Sequence, residues 1–163
     1  MFKLIKKHAR LYQTKFSFGA SSALITNLGL IMGLDSGPNA KFSIIAGILV
    51  IAIADNISDS FGIHMYQESE CIERSEVWLS TATNFLTRVI VSAIFVLFIL
   101  FLPMRLAVIV SVTYGLLLLA FMSYLIAKDE ETNPYLAISE HLAIALFVIL
   151  LSEFVGRWLA RSI

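Results

Sequence analysis

The chain has 163 residues, 58% hydrophobic and 15% charged, with a mean hydropathy of +0.84 and a formal net charge of zero. Soluble domains carry about 25% charged residues, so the composition excludes an ordinary soluble domain, and the balanced charge gives no nucleic-acid footprint. A single cysteine, Cys71, excludes an intrachain disulfide framework.

The chain opens on MFKLIKKHARLYQTK, which reads as an amphipathic juxtamembrane segment with Phe2, Ile5, Ala9 and Tyr12 on one side and the basic residues on the other. A frayed basic tail is the plainer alternative. A cleaved signal fits poorly, because the apolar run from Phe16 is long enough to span and no small-x-small site follows it.

A spanning helix needs roughly 20 residues, and apolar runs of that order recur at 16–34, 42–65, 81–102, 106–127 and 135–159. The expected architecture is all-α, a single five-helix membrane domain over residues 1–163. The first span is weakly apolar, with Gly19, Ser21, Ser22, Thr26, Asn27, Gly29 and Gly33, which argues against full lipid exposure. Asp35-Ser36-Gly37-Pro38-Asn39 is a turn signal.

Gly47, Ala52, Ala54, Ser58 and Gly62 give the second span a small surface. An acidic link, 66–80, follows. The third span carries Asn84 and Arg88 in its first turns, and the short Pro103-Met104-Arg105 link predicts an antiparallel hairpin with the fourth. The fourth, the most uniformly apolar, is expected to face lipid most. Lys128 to Pro134 forms a solvated turn before the fifth.

Lys3, Lys6, Lys7, Arg10 and Lys15 before the first span place the N-terminus in the cytoplasm. Five crossings then put the acidic link and the Lys128 turn on the cytoplasmic side. Arg105, Arg157 and Arg161 fall on the outer side and count against this orientation.

Gly19-Ala20 with the run from Ile25 to Leu34 resembles the first span of the vacuolar iron transporter family. The stretch from Gly47 through Ile53-Ala54-Asp55 and Ser58-Asp59-Ser60-Phe61-Gly62 resembles its second. The resemblance is good over 18–76 and mostly hydropathic beyond. It implies a homodimer with the ion path at its interface, moving ferrous iron or manganese out of the cytoplasm in exchange for protons, with no permanently bound cofactor. The implied location is a prokaryotic inner membrane or an organelle membrane. The chain departs from the family at Ser21-Ser22, where an aspartate is expected, at Asp59, where a methionine is usual, and at Ile63, where a glutamate is usual. The family's larger helical metal-binding domain is replaced by the short acidic link. A structural homologue, or a carrier of another substrate, is the alternative.

Asp55 and Asp59 lie one helical turn apart and share a face. A charge at membrane depth costs about 3 kcal/mol on insertion scales, so such residues line a pathway or pair with one another. With Asn27, Ser22 and Ser58 they offer the oxygen ligands that Fe(II) or Mn(II) accepts. Arg88, at a depth close to Asp59, offers the competing reading of a structural ion pair. Asp55 has no second basic partner in view and reads as the pathway residue.

His64, Glu68 and Cys71 would share a face if the second helix continues past the bilayer, and with Glu140 they complete a candidate metal-capture set. A solvated acidic face is the plainer reading of that stretch. Glu140 and His141 are adjacent and point apart, so they are not expected to chelate together. Glu153 and Arg157 have the spacing of an intrahelical ion pair. No nucleotide-binding glycine loop or nucleophile constellation is present, so no enzyme is expected.

Overall fold

The computed structural model describes residues 19–162, which form five helices. They are α1 (Gly19–Leu34), α2 (Ala40–Ser69), α3 (Arg74–Phe101), α4 (Met104–Asp129) and α5 (Pro134–Ser162). The N-terminal amphipathic segment and the start of the first span lie outside the described residues. Four helices, α2 to α5, are long and apolar enough to cross a membrane, and α1 is a shorter apolar helix. The chain is a multi-span membrane protein.

α1 is the centre of the bundle, and its small residues are the reason. Ala20, Ala23, Leu24, Leu28 and Ile31 are all buried. On α2, a Cβ added at Gly47 would lie 2.9 Å from the Leu30 side chain, and on α4 one at Gly115 would lie 2.8 Å from Leu28. Gly29 lies against Val148 and Ser152 of α5, and at Gly156 any Cβ would run into the Gly33 carbonyl. Without side chains at these points the helix backbones approach closely, the usual way helices associate where water supplies no driving force. Around α1, α2 packs chiefly on α3 and α4 chiefly on α5.

The fourth span does not face lipid most. Of its apolar window 33% is buried, against 11% for α5 and 17% for α2. Uniform hydropathy hid the reason: Ala107, Ser111, Gly115, Leu119 and Met122 repeat at three- and four-residue spacing and are all buried.

The acidic link over 66–80 contracts to a four-residue turn between Ser69 and Arg74. α2 continues to Ser69 and then stops in a Schellman motif. Ile72 N donates to Gln67 O at 3.2 Å and Cys71 N to Glu68 O at 3.0 Å, with Cys71 in the left-handed conformation at φ 54°. α4 ends in a related way, with Glu131 at φ 57° and Thr132 N donating to Ala127 O at 2.9 Å. Pro134 then opens α5, where a missing N–H costs nothing. At the opposite end Leu102 and Pro103 alone separate α3 from α4, and Lys41 Nζ donates to the Leu102 carbonyl at 3.4 Å. Asn39, at φ 52°, closes the predicted turn before α2.

Candidate functional site

Because α3 begins at Arg74 rather than near Thr81, Arg88 lies near its midpoint and not in its first turns. Asp55 lies near the midpoint of α2, so antiparallel packing brings the two to one depth. The Arg88 side chain is 0% exposed, and its Nη2 reaches Asp55 Oδ2 at 2.5 Å while Nη1 reaches Asp59 Oδ2 at 2.5 Å. Nε donates to Asn56 Oδ1 at 2.7 Å and Nη1 also donates to Ser22 Oγ at 2.6 Å. The Ser22 hydroxyl in turn donates to Asp59 Oδ2 at 3.3 Å.

The planar guanidinium presents five N–H groups in a fixed fork. Here that fork joins two carboxylates, an amide oxygen and a hydroxyl from α1 and α2. A lysine ammonium has only three donors and no such plane. The anticipated Asp59–Arg88 pair is present. The expectation that Asp55 lacks a basic partner is corrected, because one arginine serves both aspartates. The carboxylates remain open on one side, with side chains 40% exposed for Asp55 and 38% for Asp59. Ser58 and Gly62 are exposed on the same helix, and a Cβ at Gly62 would meet nothing.

Asn27 does not join this cluster. Its Nδ2 donates to Ala23 O at 2.7 Å and to Ser92 Oγ at 3.0 Å, one turn along α3 from Arg88. From there a buried polar seam follows the α2–α3 contact toward the acidic turn. Asn84 Nδ2 donates to Ser60 Oγ at 3.0 Å, His64 Nδ1 bonds Thr81 Oγ1 at 3.0 Å, and Gln67 Nε2 donates to Ser80 Oγ at 2.9 Å. Thr81 gives its own proton to Val77 O at 2.8 Å, so the His64 Nδ1–H is the donor of that pair.

The signal for this seam was present in the spacing. Asn56, Ser60 and His64 recur every four residues on α2, as do Ser80, Asn84, Arg88 and Ser92 on α3. Among the buried polar atoms without a protein partner, Asn27 Oδ1, Asn56 Nδ2, Asn84 Oδ1 and Gln67 Oε1 all belong to it. Such atoms are the usual partners of buried water.

The candidate metal-capture residues are not gathered. Among the described residues no group of three or more His, Cys, Asp or Glu side chains is placed to hold a metal ion. Cys71 leaves the His64–Glu68 face because the helix ends at Ser69, and it is exposed in the turn. Glu68 Oε1 lies 3.5 Å from His64 Nε2. Glu140 is exposed near the start of α5, while the neighbouring His141 turns inward to Ser123 Oγ at 2.8 Å, so the two do point apart. Glu153 and Arg157 form the anticipated intrahelical pair.

Comparison with protein-family models, with curated proteins and with solved structures finds no match for the chain.

Proposed function

We propose that the chain is a non-enzymatic membrane protein built like the vacuolar iron transporters but working without iron or manganese transport, as a structural homologue or as a carrier of another substrate. One observation carries this reading: the buried Arg88 guanidinium already pairs with Oδ2 of both Asp55 and Asp59, so its positive charge sits where a divalent cation would bind. A cation entering there would find Oδ2 of each carboxylate already in a charge-assisted bond at 2.5 Å and would be repelled by the buried arginine between them. The departures from the family at Ser21, Ser22 and Ile63 remove further carboxylates from the same region.

The proposed assembly has five spans, with the N-terminus in the cytoplasm of a prokaryotic inner membrane. It is a homodimer in which α2 covers its own half-exposed aspartates with a second copy. Carboxylates turned toward lipid are costly, and the small exposed surface at Ser58 and Gly62 admits a close partner.

A proton-coupled carrier of ferrous iron or manganese is the second reading. What favours it is the open side of both carboxylates, at 40% and 38% exposure. Flux of Mn2+ and Fe2+ into proteoliposomes separates the two. The proposal expects wild-type flux equal to that of protein-free vesicles, whereas flux that falls in Asp55→Asn or Asp59→Asn supports the carrier.

A further inference from the structure

Along the α2–α3 contact lies an open groove of about 450 Å³ lined by Ile57, Phe61, His64, Trp78, Thr81 and Phe85. That volume is in the range of small-molecule sites. The rings form a set rather than a scatter. Phe61 stacks on His64 at a centroid distance of 6.3 Å and an interplanar angle of 7°, and Trp78 meets His64 in a T-shaped contact at 4.6 Å. Thr81 fixes the imidazole through Nδ1.

One turn beyond His64, Glu68 stands 3.5 Å from His64 Nε2, its side chain 54% exposed. The adjoining turn adds Glu70 and Glu73, with Arg74 the basic group beside them. An apolar slot lined by aromatic side chains, with a carboxylate beside its histidine, complements one kind of occupant. A cation without N–H donors keeps its charge over the ring faces and loses little by leaving water.

We propose that this groove binds a lipophilic cation of the quaternary ammonium or phosphonium class. The site does not depend on the Asp55–Arg88–Asp59 cluster or on whether the chain carries metal. Aromatic walls supply the contact area and the cation–π attraction, and Glu68 supplies the charge preference.

The test uses full-length protein in detergent, with equilibrium dialysis of radiolabelled tetraphenylphosphonium and of tetraphenylborate, its near-isosteric anion. The expected result is saturable, stoichiometric phosphonium binding and no saturable borate binding. Phe61→Ala and Glu68→Gln each weaken it roughly fivefold or more, while Trp78→Phe, which keeps a ring, weakens it less. In a Trp158→Phe background the same titration quenches Trp78 fluorescence, and size-exclusion chromatography reports whether each variant remains folded. Equal binding of the two ions, or phosphonium affinity unchanged in both Glu68→Gln and Phe61→Ala, overturns the proposal and leaves a groove filled by lipid chains.

Discussion

Arg88 decides how the acidic residues of α2 are read. Removing one partner of a buried ion pair costs about 3–5 kcal/mol, because the other charge is left unpaired. Arg88→Met should therefore lower the unfolding free energy in detergent by an amount in that range, read as a lowered thermal midpoint. Asp55→Asn and Asp59→Asn should each cost only about 1 kcal/mol, since the second carboxylate keeps the guanidinium paired and both aspartates are half exposed. The double substitution should cost more than the sum, as residues sharing one network do. Equal midpoints for Arg88→Met and Asp59→Asn would contradict the bridging role. The Asp59 pair was legible from sequence because both charges fell at similar depth. The Asp55 contact was not, because hydropathy placed the start of the third span seven residues late and so set Arg88 too near the surface.

Among the elements, the Gly33–Gly156 crossing of α1 and α5 offers the sharpest test of packing. Gly156→Val must separate two backbones and should cost about 1–3 kcal/mol. Gly62→Ala points into open space and should stay within about 0.5 kcal/mol of wild type in the monomer. Thermal unfolding of both variants in detergent checks the contrast, and a tolerated Gly156→Val would mean that α5 packs elsewhere. The small residues of α1 announced its central place. The four-residue polar repeats of α2 and α3 were equally visible, but charge drew the reading to the aspartates and past Asn56, Ser60 and Asn84. At about 0.6 kcal/mol for an average interhelical hydrogen bond, the three α2–α3 pairs Ser60–Asn84, His64–Thr81 and Gln67–Ser80 contribute about 2 kcal/mol. That fixes register more than it adds stability. The helix ends at Ser69 and Asp129 carried little signal, because the left-handed positions are held by Cys71 and Glu131 rather than glycine.

For the whole molecule, membrane embedding and the all-α fold followed from hydropathy, since spans of this length are a physical requirement of the bilayer. Which helix faces lipid did not, because mean hydropathy is blind to which side of a helix carries its small residues. The α2–α3 and α4–α5 turns lie at one end of the bundle, and Cys71 is exposed in the first of them. The proposed orientation predicts that a membrane-impermeant maleimide leaves Cys71 unmodified in intact cells and labels it in inverted vesicles. Labelling in intact cells would reverse the orientation.

The central claim is that Arg88 pairs with both aspartates and its charge keeps a divalent cation from binding between them. Mn2+ binding by electron paramagnetic resonance, in wild type, Asp55→Asn and Arg88→Gln, tests it most directly. Freeing the carboxylates should create in Arg88→Gln an Asp55-dependent Mn2+ site that wild type lacks. Wild-type binding that disappears in Asp55→Asn would contradict the account.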